Sequence, residues 1–446
     1  MRLSDTLSAT LGQCGPHLLA TARERIDPAW IHLALSNAGM LSVRRRKLPA
    51  DVVVWLVLGA NLIAGMAFDE VVRRLALTPP TRRASPQTPP SSSAVSDARG
   101  RLGDVAMREL FSVTSRHWRD LDDFTHLRFH GLQVLAADGF ALRTPDTSSN
   151  AAEFGKPSSR RGDAAYPVLN AVAVIEVATH LVVDVELGSA KTSELAMFER
   201  LAGRLPNRSV TVLDRNYDSV RHLHLIQQGG EERHWLARSK GRIQAKVLEE
   251  FAEGDEQVEI RVNPLARRKE PTLGETFIAR RIRYTAGSTQ ITLLTSMLDS
   301  VRFPAIEIAA LYHQRWKVEM AIDDLKTEQR KSAVTLRSKS PVGIRQEVYG
   351  LLIAHNLVRI EMARVAVLLG VPPTRISFHR ALGRVCDHLR TTTAGTPPSK
   401  WGDREILLLN ELRWLVLPER RSHRHFPRAM KMPVGRYPRK MPVARA

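Results

Sequence analysis

Apolar residues near the start of the chain recur at helical spacing, around Trp30, Leu33 and Leu35. Pro49 then introduces a long apolar run, DVVVWLVLGANLIAGMAF (51–68), and no period-two alternation competes. Residues 1–77 therefore read as a helical domain. Because Arg44, Arg45, Arg46 and Lys47 precede the run, a membrane span has to be weighed. Asp51 and Asn61 interrupt it, however, and the apolar pattern continues as Val71, Val72 and Leu75 among Asp69, Glu70, Arg73 and Arg74. The expectation is a buried helix, since the run is borderline for spanning.

TPPTRRASPQTPPSSS (78–93) has five prolines and almost no apolar residue, which predicts a linker. A helix through Leu110 to Trp118 follows, then an acidic turn at Asp120 to Asp123. The texture changes at Leu132. LQVLAADG is a short apolar run ending in Asp138, and the β-rich runs 166–177 and 180–188 are spaced as a hairpin. Thr192 to Leu205 reads as an amphipathic helix capped by Thr192 or Ser193. Residues 208–219, RSVTVLDRNYDS, form another buried strand ending in Asp214, and a helix runs on to about Gln228. This alternation predicts an α/β sheet layer. Residues 233–296 are again β-rich. Pro304 opens a long helix, Pro341 to Gly370 is a second one broken by Pro372 and Pro373, and a further helix reaches about Arg390.

Composition adds a partner. The 446 residues carry a formal net charge of +20, far more than solubility requires. Such an excess points to a polyanion, nucleic acid before an anionic membrane surface. The tail from Glu419 to Ala446 is a basic, proline-rich arm suited to tracking phosphates. Cys14 and Cys386 are too few for a disulfide framework, and no Cys/His cluster has zinc spacing.

The candidate chemistry lies in carboxylates. Asp138 and Asp214 each end a buried strand, where open α/β sheets place their sites. Brought together they repel, and a divalent cation is the natural compensation. Hard oxygen ligands favour magnesium or manganese. The stretch LYHQRWKVEMAIDDLKTEQR (311–330) offers a third acid, Glu319, with Tyr312, Arg315 and Lys326 seven before, four before and seven after it. A continuous helix would set all four on one face. Taken alone, the pattern equally describes a solvated ion-pair face, and a strand-end Asp is commonly a turn or cap residue. Asp146 has the same local explanation, while His222 and His224 read as surface or core positions. Three acids together can hold two ions for phosphoryl transfer.

These residues carry a specific resemblance. Tyr312-x2-Arg315-x3-Glu319-x6-Lys326 resembles the signature of DDE transposases of the bacterial insertion sequence 4 family. LAADGFALRTPDT resembles that family's first motif and VLDRNYDS its second, with Asn216 where the family usually has glycine. The N-terminal 31–72 region and the tail RHFPRAMKMPVGRYPRK also look like the family's, so the resemblance covers nearly the whole chain. It implies a ribonuclease H-like α/β core with a β-strand insertion, a helical N-terminal domain and a helical, basic C-terminus. It implies that Asp138, Asp214 and Glu319 are the catalytic metal ligands, for two magnesium ions that manganese can replace. Tyr312, Arg315 and Lys326, assisted by Arg215, would contact the transposon-end phosphates. Related enzymes stack a flipped base on a tryptophan of the insertion; no Trp lies between Trp235 and Trp316, so either Tyr284 or Phe277 substitutes or the feature is absent here.

The expected organisation is an end-binding helical domain (1–77), linker (78–93), helical connector (94–130), first core part (131–239), insertion (240–290), second core part (291–335), C-terminal helices (336–418) and basic tail (419–446). The expected function is cut-and-paste DNA transposition on the element's terminal inverted repeats and a target, by a homodimer in the synaptic complex, in the bacterial cytoplasm with the nucleoid. The alternatives are a metal-dependent nuclease on the same fold and a non-catalytic DNA-binding descendant.

Overall fold

The computed structural model describes residues 25–41, 48–62, 67–74, 90–159, 162–239, 244–328, 335–391 and 401–418. Arg44 to Lys47, most of the 78–93 linker, Cys14 and the 419–446 tail lie outside the described residues.

The early helices are α1 (Pro28–Asn37), α2 (Ala50–Leu62), α3 (Phe68–Arg74), α4 (Ser92–Leu102) and α5 (Val105–Arg119). The apolar run forms α2, buried from Val52 to Leu62. A helix apolar on every side must be covered on every side. Its 13 residues, Ala50–Leu62, span about 20 Å. No helix among the described residues is long and apolar enough to cross a membrane. Asn61, the polar interruption, donates its side-chain amide to the Val57 carbonyl at 2.8 Å. The end of the expected linker starts α4, where the Ser91 hydroxyl caps the Ala94 N–H.

The α/β part begins with β1 (Gln133–Arg143), α6 (Ser148–Phe154) and a small ribbon of β2 (Ser158–Ser159) and β3 (Gly162–Asp163). Then come β4 (Val168–Glu176), β5 (Val182–Gly188), α7 (Glu194–Ala202), β6 (Ser209–Leu213), α8 (Val220–Gln228) and β7 (Arg233–Arg238). The expected β4–β5 hairpin forms, and Ser193 rather than Thr192 caps α7. The β-rich stretch supplies β8 (Ala245–Ala252), β9 (Asp255–Arg261), α9 (Pro264–Lys269), β10 (Thr276–Ala286) and β11 (Thr289–Thr295). All but the ribbon join one nine-stranded sheet, ordered β5-β4-β1-β6-β7-β11-β10-β9-β8. Strands β1, β6 and β7 run parallel, and the other pairings are antiparallel. The β-rich stretch extends the sheet, because β11 pairs with β7 (Leu294 opposite Ala237). Trp235 of β7 and Phe277 of β10, stacked at 5.8 Å, share one buried core with Leu294 across this join.

The two sheet edges differ. At β5 the Asn356 side chain accepts from Val182 N–H and donates to Val182 C=O, both at 2.8 Å. The Ser115 hydroxyl reaches the Val182 and Val183 carbonyls. At the other edge β8 is mostly exposed, including Val247 and Leu248.

After the sheet come α10 (Ala305–His313), α11 (Trp316–Asp323) and a π-helical turn, Asp324–Glu328. The chain closes with α12 (Pro341–Leu369), α13 (Phe378–Thr391) and α14 (Trp401–Leu412). Helix α12 is buried along most of its length and packs on α2 and α5. Gly350 permits its approach to α2, since a Cβ there would meet Asn61 Nδ2 and Val57 Cγ1 at 2.7 Å.

Candidate active site

The parallel strands line up the first two acids. Register pairs Ala136 with Val212 across β1 and β6, and Leu213 with Ala237 across β6 and β7. Asp138 and Asp214 each lie two residues beyond the Ala136–Val212 pair, and Asp214 and Arg238 each one residue beyond the Leu213–Ala237 pair. Asp138 does not end its strand, as expected, but lies within it. Its ladder to β6 stops at Ala136 while the antiparallel ladder to β4 continues to Arg143, so the sheet opens on one side of Asp138 alone. Asp214 does end β6, and it caps the turn Arg215–Tyr217 by accepting the Asn216 N–H at 2.5 Å. Asn216, at the family's glycine position, has no positive φ, and its side-chain amide adds a second bond to Asp214 at 3.4 Å.

The expected single helix over 304–330 is wound three ways. Between α10 and α11 the backbone tightens to i→i−3 bonds, from Arg315, Lys317 and Val318 to Tyr312, Gln314 and Arg315. Beyond Asp323 it loosens to π. Tyr312 therefore sits on α10, Arg315 at the start of α11, Glu319 in its first turn and Lys326 in the π turn. Such changes of winding rotate side chains off a simple helical face, and π segments recur at functional sites. Arg315 and Glu319 form the i,i+4 ion pair, Nη2 to Oε1 at 2.9 Å, so the ion-pair reading holds for these two. Lys326 turns to β1 instead, with Nζ 6.0 Å from the Phe140 ring centre.

Electrostatics tie the groups together. Burial, then the Glu194 and Glu319 carboxylates, pushes Asp138 up to about 6, against the bond from Gly139 N–H and the Arg315 charge. Burial raises the Tyr312 phenol, which lies within the influence of Arg315, Arg238 and Asp214. Arg215 is exposed on the turn beside Asp214. A cavity of about 440 Å³ adjoins Asp138, lined by Gly139, Phe140, Asn170, Glu194 and Lys326 among others. Phe277 is spent in the core against Trp235, whereas Tyr284 bonds His313 at 3.2 Å near Tyr312. Asp146 pairs with Lys156 at 2.8 Å, and His222 and His224 are buried against Glu199 and Thr272.

The acids fit a divalent cation in donor chemistry: all are hard oxygens, and the carboxylates raising Asp138 are the arrangement a cation relieves. Among the described residues no three Asp, Glu, His or Cys side chains stand in ligating geometry. Glu319 is held through Oε1 by Arg315, and Asp214 by its own turn. Sequence reasoning missed Arg238 and Glu194. Register would have found Arg238, while Glu194 gave only the common signal of an acid in a first helical turn.

Asp138→Asn is expected to raise the stability of the metal-free protein while removing its activity. The folded-state value, about 6, lies above the ordinary 3.8, so the ionised form opposes folding at neutral pH. Allowing for solvent screening of this partly exposed group, the gain is about 1–2 kcal/mol. It should shrink as pH falls from 6 and vanish below about 3.8, where folded and unfolded states are both protonated. Thermal unfolding of both proteins between pH 4 and 8, roughly the interval over which Asp138 changes charge, would show it.

Comparison with known proteins assigns the class. The family model described as a transposase DDE domain matches residues 129–357, and that of the insertion element 4 transposase N-terminal region matches 16–112. The chain belongs to the insertion sequence 4 family of DDE transposases. It is 34% identical, over 94% of its length and 93% of the relative's, to the transposase InsG for insertion sequence element IS4 of Escherichia coli (strain K12). It is 30% identical to the putative transposase InsZ of the same organism, over 51% of this chain and 73% of that one. Among solved structures, a piggyBac transposase synaptic complex with hairpin DNA aligns over 93% of this chain and 85% of that one, at a TM-score of 0.38 and 12% identity. The protein is a DNA transposase and an enzyme.

Proposed function

We propose that this transposase moves its element by cut-and-paste: metal-dependent cleavage at the terminal inverted repeats, then joining of the freed 3′ ends to target DNA. The observation that carries the reading is that Asp138 and Asp214 both lie two residues past the last β1–β6 pair, where the sheet opens, with Glu319 within electrostatic reach of Asp138. Asp138, Asp214 and Glu319 would hold magnesium, or manganese in its place, as two ions. Bound there, the ions supply an activated water or 3′-hydroxyl and charge stabilisation for the leaving oxygen. The chain's own part is to place the phosphate. Arg315 offers a planar fork, Lys326 a point charge and Tyr312 a phenolic donor. Arg238 and Arg215 extend this cationic border beside Asp214, and Tyr284 is the aromatic that remains for a flipped base.

Strands β5-β4-β1-β6-β7 with their helices, and most of β11, support a ribonuclease H-like core (131–239 and 291–335), and β8 to β10 its insertion (240–290). Residues 1–77 we assign to end binding, 78–93 to the linker, 94–130 to the connector, 336–418 to the C-terminal helices and 419–446 to phosphate tracking. The working form is a homodimer on two ends, in a bacterial cytoplasm at the nucleoid.

The test is incubation of the protein with DNA bearing its element's ends, a supercoiled target and Mg2+. Joined products are expected. Cut ends without joined products would indicate a nuclease, and bound, uncut DNA a non-catalytic descendant. Lys326→Ala should weaken end binding and lower the slope of log K against log [salt] by about one. An unchanged slope removes Lys326 from the phosphate contacts.

A further inference from the structure

Beside Asp138 stands an acid that the three-acid scheme leaves unused. Glu194 is the first residue of α7, and the Tyr217 hydroxyl donates to its Oε1. Tyr217 is itself buried, three residues past Asp214 and packed edge-on against Phe198 at 4.8 Å. Burial, then Glu194 itself, holds the phenol far above its ordinary value, so it remains a donor. On its other side Glu194 lies against the backbone of Gly139, where a Cβ would meet the carboxyl carbon and Oε2 at 2.8 Å. Glycine next to the catalytic aspartate therefore makes room for a second carboxylate. Of the two acids acting on Asp138, Glu194 acts more strongly than Glu319. Glu194 also lines the cavity that Lys326 closes from the opposite element.

We propose that Glu194 is a positioning residue of the catalytic centre, fixed by Tyr217 and admitted by Gly139, that adds negative charge behind Asp138 and so strengthens the hold of a divalent cation there. This rests on the metal reading above. The physical logic is that of groups around a metal ligand, which orient it and set its local charge. Two partly buried carboxylates acting on one another at this spot repel, and a cation held there would relieve the repulsion.

The test follows Mn2+ binding to the full chain by the electron paramagnetic resonance of free Mn2+, together with the Mg2+ dependence of end cleavage. Glu194→Gln keeps the Tyr217 bond and the helix start. It should weaken Mn2+ binding by about 10-fold or more and raise the half-saturating Mg2+ concentration by a similar factor. Gly139→Ala, which pushes the carboxylate away, should reproduce the shift. Tyr217→Phe, which frees the carboxylate without removing it, should give a smaller one, and Glu194→Asp should recover part of the loss. A purely structural role would change thermal stability and leave half-saturation where it was. Asp138→Asn is the control. If it loses Mn2+ while Glu194→Gln binds like the parent, the role of Glu194 is overturned and the metal reading stands. If Asp138→Asn also binds like the parent, the metal reading itself falls.

Discussion

Glu319→Asp is expected to lose about 10²-fold or more in end cleavage and joining, with the fold intact. The substitution keeps the charge and removes one methylene, so the carboxylate is withdrawn by more than a metal–oxygen bond tolerates. Misplacement of a reacting group by about 1 Å is enough for a loss of that size. The fold has little at stake. Glu319 is largely exposed and its one described bond is the ion pair to Arg315, the kind worth about 0.3–0.5 kcal/mol on a helix. Electrophoresis of cleaved and joined products beside a thermal melt checks both halves. Near-parental cleavage by the Asp variant would mean that Glu319 serves only to pair Arg315.

Arg280→Met should cost about 3–5 kcal/mol of stability. Arg280 is 0% exposed, and its fork binds Asp255 bidentately at 2.7 and 2.6 Å. It also donates to the Phe303 carbonyl at 2.7 Å, just ahead of the helix that carries Tyr312. Methionine fills most of the volume but leaves the Asp255 carboxylate and that carbonyl buried without their donor. Urea unfolding should show the lower midpoint, and the double variant with Asp255→Leu should recover much of the loss, because two apolar groups leave no orphaned charge. If the single variant matched the parent, the pair would not be holding β9, β10 and the Phe303 loop together.

Much of this site was legible along the chain, for reasons that also mark where legibility stopped. Asp138 and Asp214 announce themselves as acids in buried apolar runs, where an unpaired charge needs a reason. That Asp138 lies inside its strand was hidden, because the strand's extra length is supported by β4, which arrives some thirty residues later. The buried helix α2 could be read because its polar interruptions forbade a span. The change of winding through 311–328 could not, since no Gly or Pro marks it. Arg238 needs the β6–β7 register, and Glu194 needs three separate elements, β1, α7 and the 215–217 turn, to be put in place before its carboxylate means anything. The insertion strands were visible as strands, but their union with β7 depends on pairing, which periodicity does not encode.

The unequal sheet edges bear on how copies of this protein can meet. Asn356 and Ser115 occupy the backbone of β5 at Val182 and Val183, which blunts that edge where the strand begins. At β8 the register slips twice, between Val247 and Glu249 and between Glu250 and Ala252, and Lys246, Glu249 and Glu250 lie exposed, so irregularity and charge blunt this edge too. With side chains on the backbone at one edge and bulges and charges at the other, neither end of this long sheet is disposed to add a strand from another copy.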